Sequence, residues 1–337
     1  MSEPQYRLIA LDVDGTLLDP AHLLTPRTRA AILSAQRRGT RVCLATGKLL
    51  ASVRPLLAEL ALGGLHITCN GAALMDAAAG EAVAAWPLSP PQISEALAAI
   101  RECAPEMGIA WYTTDAIYTD APPASPLDVT LGAYHEPALR HVARLAADAL
   151  PPPLKFLMTG DHSSLLALRD GLLERIGATM TVTRTTSDFV EVMALGVSKG
   201  HALGELITRL GMPRAAVVAF GDGENDIPLL DAAGLGIAMG NAMPALLPHA
   251  ARATLAMPRT AWPSRWQRWG WRTGRVQAGG ARRAEPLPLT PSPPREGEPR
   301  PGVARGAGVP LMAPRNAATA ATKSPSPTGR GVGVRSG

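Results

Sequence analysis

The sequence predicts an α/β protein with a doubly wound parallel sheet and a smaller α+β domain inserted into it. Three observations lead to this fold class. Short apolar strands alternate with amphipathic helices near the N-terminus, the alternation returns from Ser198 onward, and a different pattern separates the two stretches. Such alternation is typical of a parallel sheet covered by helices. The 337 residues are enough for two domains.

The first part of the core is predicted over residues 1–85. Its elements, in chain order, are a strand over 7–13, a helix over 26–38, a strand over 41–45, a helix over 49–60 and a strand over 66–69. Thr25 followed by proline is typical of a helix start, and Gly39 is typical of a helix end.

The inserted domain is predicted over residues 86–184, and the chain returns to the core over 185–257. The inserted elements are a helix over 91–104, a hairpin across 114–115, a helix over 138–149, a strand over 154–158, a helix over 164–176 and a strand near 180–184. The returning elements are a helix over 198–210, a strand over 216–220, a helix over 226–233 and a strand over 235–239. One sheet is therefore expected from two separated parts of the chain.

Residues 258–337 are rich in Pro, Gly and Arg and show no hydrophobic periodicity. Such a segment buries too little apolar surface to offset its chain entropy, so we expect it to be disordered. It carries 14 Lys and Arg against 3 Glu, whereas residues 1–258 carry 19 basic and 25 acidic residues. The net charge of +5 therefore arises in this tail, and a folded face that binds nucleic acid is not expected.

The cysteines and the hydropathy exclude further classes of protein. Cys43, Cys69 and Cys103 form no CxxC pair, which argues against a disulfide framework or a zinc site and favours a reducing cytoplasm. No export signal is visible, and no apolar run approaches the roughly 18 residues that a membrane span requires. We expect a cytoplasmic protein with no membrane partner.

Paired carboxylates stand at the end of the first predicted strand. Asp12 and Asp14 lie in LDVDGTLLD, where open α/β sheets place their ligands. Two close carboxylates repel each other unless a cation lies between them, so the pair indicates a divalent metal or acid–base chemistry. Taken alone such a pair is weak evidence, because a solvated turn also explains it.

A second acidic cluster follows a later strand. FGDGENDIPLL places Asp222 and Asp226 four residues apart, on one face if a helix begins there. A helix start that is rich in acidic residues for electrostatic reasons alone explains Asp226 well, but explains Asp222 between two glycines less well. The two clusters are therefore expected to meet at one edge of the sheet.

Two further segments carry groups suited to an anion. In ATGK, the hydroxyl of Thr46 and the backbone N–H of Gly47 can bind a phosphoryl oxygen, although the spacing is not that of a Walker loop. In GVSKG, Lys199 lies in the first turn of a helix, where it opposes the helix dipole and indicates an anionic partner. A solvated surface lysine is the alternative.

The order DxDGT, a strand ending in Thr-Gly, GVSKG and GDGEND resembles the haloacid dehalogenase superfamily, and within it the Cof-type phosphatases that carry an inserted cap domain. The resemblance covers residues 7 to about 255. It implies a Rossmann-like core, hydrolysis of a small phosphorylated metabolite such as a sugar phosphate, and Mg²⁺ as cofactor.

The same resemblance implies roles for the catalytic and metal-binding residues. Asp12 would attack phosphorus to form an aspartyl phosphate, and Asp14 would protonate the leaving oxygen and later activate water. Asp12, Asp14 and Asp222 would bind the metal. A carboxylate nucleophile divides one difficult hydrolysis into two easier steps, and Mg²⁺ suits an all-oxygen set of ligands.

Phosphate binding is implied for a further group of residues. Thr46, Gly47 and Asn225 would hydrogen-bond the phosphoryl group, Lys199 would neutralise charge between the nucleophile and the substrate, and Asp226 would support them. Four residues without a motif around them are assigned structural or surface roles: His22, His66, His135 and Trp111.

The chain departs from the family pattern at two places. Lys48 follows the Thr-Gly pair where many relatives carry arginine, which replaces a bidentate fork with a point charge. The final helix of relatives is missing after Met257. A reading frame displaced by one base can encode Ala-Glu-Asp-Gly-Val followed by an apolar stretch, so we interpret the tail as a frameshift product. A basic arm for nucleic acid or membrane is the rival interpretation.

Three hypotheses for function follow from these residues. The first is a phosphatase of the haloacid dehalogenase type. The second is a phosphoryl transferase or mutase with the same fold, and the third is a protein that binds a phosphorylated ligand without catalysis. The complete set of Asp12, Asp14, Lys199 and Asp222 favours an enzyme, because a binding protein has no need of a nucleophile.

Overall fold

The computed structural model describes residues 6–19, 21–186 and 188–254. The tail that was predicted to be disordered, and to which the frameshift hypothesis applies, lies outside the described residues. Within them, the α-helices are α1 (Pro26–Arg37), α2 (Leu50–Glu59), α3 (Pro90–Cys103), α4 (Pro126–Ala133), α5 (His162–Ile176), α6 (Lys199–Arg209) and α7 (Ile227–Ala232).

The strands of the same described residues form a parallel core sheet, a three-stranded antiparallel sheet, and a cap sheet that is antiparallel except for the pairing of its last two strands. They are β1 (Leu8–Leu11), β2 (Arg41–Leu44), β3 (Leu65–Thr68), β4 (Ala73–Asp76), β5 (Ala82–Ala85), β6 (Ile109–Tyr112), β7 (Ile117–Thr119), β8 (Arg140–His141), β9 (Lys155–Thr159), β10 (Met180–Thr186), β11 (Phe189–Ala194), β12 (Val217–Gly221), β13 (Leu235–Ala238) and β14 (Arg252–Ala253).

In the core sheet, β1 lies between β12 and β2. The strand order of this sheet is β14-β13-β12-β1-β2, and all of these neighbours are parallel. Leu8 of β1 pairs with Val217 on one side and with Arg41 on the other, so two distant parts of the chain build one sheet. A parallel bridge between Ala45 and Ile67 adds β3 beyond β2. The predicted assembly of one sheet from two chain segments is confirmed.

Helices cover both faces of this sheet. Side chains of β1 and β2 alternate between two apolar clusters, since neighbouring residues of a strand point to opposite faces. Ala10 and Cys43 pack with Leu203 of α6 on one face. Leu11 packs with Val53 of α2 on the other face. The doubly wound arrangement predicted from the sequence is thus confirmed.

The inserted residues form a cap domain around a second sheet. Its strand order is β10-β11-β9-β6-β7-β8, and α3 and α5 pack on it through an apolar cluster that includes Ile100, Trp111, Phe156 and Leu168. The sheet continues through β11, past residue 184. Side chains of β9 and β11 make hydrogen bonds to the core, beside the carboxyl ends of the core strands.

One predicted element of the cap is wrong. The helix expected over 138–149 is replaced by the short strand β8 and turns, because Arg140 and His141 pair with Tyr118 and Thr119 of β7. The helix of this region is instead α4, which the sequence analysis missed. Ser125 and Asp128 form a capping box at its start, a signal that was present in the sequence.

Among the helices of the described residues, none combines the length and the apolar character needed to cross a membrane.

Candidate active site

The turn after β1 presents two carboxylates at the edge of the sheet. Asp12 directly follows the strand, and its backbone N–H donates to the carbonyl of Phe220 on β12, which continues the sheet by one residue. Gly15 has φ +87°, and a Cβ atom there would overlap the Asp222 carboxylate. Glycine is required at this position because the turn approaches the second acidic cluster so closely.

The turn after β12 carries that second cluster. The Asp226 Oδ2 atom accepts hydrogen bonds from the backbone N–H groups of Asp222 (2.9 Å) and Gly223 (3.0 Å). The turn therefore folds back on itself and brings both carboxylates to the end of β1. Thr16 donates to Asp222 Oδ1 at 2.9 Å, and Asn241 donates to Asp222 Oδ2 at 3.2 Å, which fixes the Asp222 side chain.

Lys199 joins the two clusters. It is the first residue of α6, behind the N-cap Ser198, and its side chain is completely buried. The Nζ atom donates to Asp12 Oδ1 at 2.6 Å and to Asp226 Oδ1 at 2.7 Å. Burial alone would lower the pKa of Lys199, but the charges of Asp12 and Asp226 outweigh it and raise that pKa. The anionic partner expected from the position of Lys199 in its helix is thus this pair of carboxylates.

The remaining negative charge in the site is incompletely balanced. Burial and the neighbouring charge of Asp226 raise the pKa of Asp12 to about 7, despite the opposing effect of Lys199. Burial and the charges of Asp12 and Asp226 raise the pKa of Asp222 well above its usual value. One lysine is therefore too little positive charge for these carboxylates.

A divalent cation fits this arrangement. One carboxylate oxygen from each of Asp12, Asp222 and Asp226 lies within 4.8 Å of the others. All of these donors are carboxylate oxygens, which Mg²⁺ prefers, and a cation among them would relieve their mutual repulsion. Asp226 was predicted as a supporting residue rather than as a metal ligand, and its Oδ1 atom is shared with Lys199.

The carboxylate of Asp14 has other partners. Its Oδ1 atom accepts from Lys48 Nζ at 2.6 Å and lies 3.2 Å from His22 Nδ1. Burial would raise the pKa of Asp14, but the hydrogen bond to His22 and the charge of Lys48 outweigh it and lower that pKa. Asp14, predicted to be a metal ligand, thus has its side chain hydrogen-bonded to Lys48 and His22, whereas Asp12, Asp222 and Asp226 form the carboxylate cluster.

The expected phosphate-binding residues lie along the ends of the neighbouring strands. Thr46 follows β2, is buried, and accepts a hydrogen bond from the backbone N–H of Lys48 at 3.1 Å. A Cβ atom on Gly47 would lie 3.0 Å from the side-chain nitrogen of Asn70, which leaves little room for any other residue. Asn225 donates to Asn70 Oδ1 at 3.0 Å. This hydrogen bond joins the turn after β12 to the turn after β3.

Sequence reasoning missed several residues of this site. His22, assigned a structural or surface role, contacts Asp14, and no motif marked it in advance. Asn70 follows the end of β3 just as Thr46 follows the end of β2, so its position was a usable signal. Thr16 lies within the DxDGT motif itself, whereas Asn241 is 19 residues from Asp222 and carried no signal.

Known proteins are similar to this chain in sequence and in fold. Residues 9–257 match the family described as haloacid dehalogenase-like hydrolase. The chain belongs to this family. A haloacid dehalogenase-like hydrolase from Bacteroides thetaiotaomicron is 29% identical, with a TM-score of 0.64 over 74% of this chain and 94% of that chain. The family resemblance seen in the sequence motifs is confirmed.

Curated relatives of this haloacid dehalogenase-like hydrolase are phosphatases. HMP-PP phosphatase from Cronobacter sakazakii is 35% identical over 254 residues, which cover 72% of this chain and 88% of the relative. HMP-PP phosphatase from Citrobacter koseri is 32% identical over 250 residues, with the same coverage. The prediction that the chain is an enzyme, a phosphatase of the haloacid dehalogenase type, is confirmed.

Proposed function

We propose that this chain hydrolyses a small phosphate monoester through an aspartyl phosphate on Asp12, with Mg²⁺ as cofactor. The observation that carries the proposal is the buried Asp12 carboxylate, which Lys199 contacts at 2.6 Å beside Asp222 and Asp226. A buried carboxylate in contact with a lysine, at the open end of a parallel sheet, is suited to attack on an anionic phosphoryl group.

The proposed reaction has two steps. The Asp12 carboxylate attacks phosphorus, the ester oxygen leaves with a proton from Asp14, and an aspartyl phosphate forms. Water then attacks the same phosphorus, Asp14 takes a proton from it, and orthophosphate and the free carboxylate result. Lys199 and the backbone N–H of Gly47 offset the negative charge of the phosphoryl group throughout.

Asp12 and Asp222 would hold Mg²⁺, with Asp226 beside them. The cation would supply positive charge that keeps Asp12 ionised and stabilises the oxygens of the transferred group. The Asp14 side chain, hydrogen-bonded to Lys48 and His22, would make the proton transfers. The negative charge of the bound phosphoryl group would raise the pKa of Asp14 and let it take up the proton that the first step requires.

Phosphate release from a panel of esters tests this function. The panel includes HMP-PP, because the curated relatives are HMP-PP phosphatases, together with sugar phosphates and other small phosphate monoesters. Release of orthophosphate in the presence of Mg²⁺ supports the proposal. Transfer of the phosphoryl group to a second substrate without release would support a mutase, and binding of esters without either reaction would support a binding protein.

Removal of divalent cations is expected to abolish turnover, and added Mg²⁺ is expected to restore it. Because a cation relieves the repulsion within the carboxylate cluster, Mg²⁺ should also raise the Tm of the wild type. Asp222→Asn should lose most of this Tm shift, whereas Asp170→Asn on the cap surface should retain it. Calorimetry with and without Mg²⁺ measures the shift, and full activity in excess chelator would contradict the proposal.

Cap residues are expected to select the substrate. Tyr134 of the cap lies with its ring edge-on to His22, at 5.8 Å between ring centroids, close to Asp14 and Lys48. Tyr134→Ala should change the ratio of kcat/KM between two esters by about 10-fold or more, because it alters the space beside the leaving group. Thr46→Val should lower kcat/KM for every ester, since Thr46 would contact only the phosphoryl group.

Tyr118→Phe provides the matched cap control. Tyr118 lies on β7, and its hydroxyl accepts from Arg140. We expect loss of this hydroxyl to leave the preference among esters unchanged. Equal losses for all esters in Tyr134→Ala would show that the cap does not select the substrate at this residue.

A further inference from the structure

An ion pair of the cap is buried at the boundary with the core. Lys155 of β9 and Glu191 of β11 lie 2.8 Å apart, and their side chains are only 1% and 2% exposed. The Lys155 Nζ atom also lies 4.4 Å from the centre of the Tyr112 ring. Removing two opposite charges from water is expensive, and such pairs often add little net stability to a fold. The position of this pair therefore requires another explanation.

Both members of the pair make hydrogen bonds to the core. Lys155 donates to the backbone carbonyl of Gly47 at 2.8 Å. Glu191 Oε2 accepts from Asn70 Nδ2 at 2.6 Å, and Asn70 Oδ1 in turn accepts from Asn225 at 3.0 Å. The cap pair thus contacts one residue of the expected phosphate-binding group directly and reaches another through a single side chain.

The turn that carries Asn70 has an unfavourable backbone. Cys69, Asn70 and Gly71 all have positive φ values, at 49°, 54° and 95°. This region costs most non-glycine residues, here Cys69, on the order of 1–2 kcal/mol, although asparagine tolerates it better, so such a turn persists only where its surroundings fix it. A Cβ atom on Gly71 would overlap the carbonyl of Ser198, the N-cap of the helix that begins with Lys199. A shift of this turn would therefore also displace Asn225, which donates to Asn70, and the start of α6, which carries Lys199.

We propose that Lys155 and Glu191 are positioning residues, which fix Gly47 and Asn70 from the cap and so complete the phosphate-binding site only when the cap is seated on the core. The inference rests on the proposed function, because it assigns Gly47 and Asn225 to phosphate binding. Neither Lys155 nor Glu191 reaches the carboxylate cluster, and their action passes through the core residues that they contact.

Two variants separate this role from a contribution to stability. Glu191→Asp keeps the charge but is one methylene shorter, so it cannot contact Lys155 and Asn70 together. The double variant Lys155→Met, Glu191→Leu removes both charges and keeps the volume, a replacement that buried pairs commonly tolerate. Arg101→Met is the control, because it breaks the cap ion pair of Arg101 with Asp120, which lies within the cap.

Both variants are expected to fold with a Tm close to that of the wild type. We expect kcat/KM to fall about 10- to 100-fold for every ester, the loss that a displacement of about 1 Å produces. The inhibition constant of inorganic phosphate should rise in parallel. Hydrogen exchange should accelerate at the backbone amides of residues 46–48 and 69–71. Arg101→Met should match the wild type in all of these measurements.

Hydrogen exchange keeps this inference distinct from the proposed function. If the wild type releases phosphate from no ester, the function fails, while faster exchange in the variants would still establish the positioning role. Wild-type exchange and wild-type turnover in either folded variant would overturn the inference. Unfolding of both variants would show that the pair is required for the fold, and would overturn it as well.

Discussion

Asp12→Asn is expected to lower phosphate release by on the order of 10⁴-fold or more, because an amide is a far poorer nucleophile than a carboxylate. The exchange is nearly isosteric, and Lys199 keeps its contact with Asp226 at 2.7 Å, so the fold should persist. The exchange also removes one charge from a crowded group of carboxylates. The Tm of the variant without Mg²⁺ should therefore be no lower than that of the wild type.

The measurement is orthophosphate release with Mg²⁺, compared with circular dichroism and Tm. Asp148→Asn is the control, since this cap side chain is 83% exposed and its exchange should leave turnover unchanged. Activity of Asp12→Asn within tenfold of the wild type would mean that another group attacks phosphorus.

Lys199→Met is expected to affect both stability and catalysis. The variant leaves Asp12 and Asp226 buried without their shared cation, and loss of one partner of a buried ion pair costs about 3–5 kcal/mol. Turnover should fall by about 10²–10³-fold for every ester, the loss typical of removing a group that stabilises charge in the transition state. Mg²⁺ should recover part of the lost stability, because it offsets the same carboxylates.

Arg209→Met, on the same helix, is the matched control. Arg209 pairs with Glu205 at 2.6 Å, but both side chains are partly exposed, and such pairs contribute about 0–1 kcal/mol. Chemical denaturation and a kinetic panel over several esters measure both effects. A Lys199→Met variant that lost one ester and retained the others would contradict a role common to all substrates.

The core could be predicted from sequence because its signals are local. Thr25 accepts from Thr28 at the start of α1, as its position before Pro26 indicated. β1, β2 and β12 lie close to their predicted ranges, since short apolar runs in a parallel sheet are buried on both faces. The cap error at residues 138–149 arose because an Ala- and Leu-rich segment favours a helix locally, whereas pairing with β7 is a contact between distant residues.

Some residues of the candidate site could likewise be predicted from sequence signals, whereas others depend on contacts between distant parts of the chain. Asp12, Thr46 and Asp222 follow the ends of parallel strands, and this rule alone brings their side chains to one edge of the sheet. His22 could not be found by that rule, because it lies in a loop and reaches Asp14 by the path of the chain. Lys155 and Glu191 were also missed, since the contact of the cap with the core depends on how the two sheets pack.

The pairing of β1 with β12 has a consequence for synthesis on the ribosome. Leu8 pairs with Val217, so the strand that ends directly before Asp12 pairs with β12 only after the whole cap has been translated. At about 5–20 residues per second this interval lasts roughly 10–40 s. The apolar cluster of the cap, from Leu88 to Val192, is complete in the chain before then. The nascent protein can therefore fold its cap before β1 pairs with β12, and the phosphatase becomes active only after β12 has been translated.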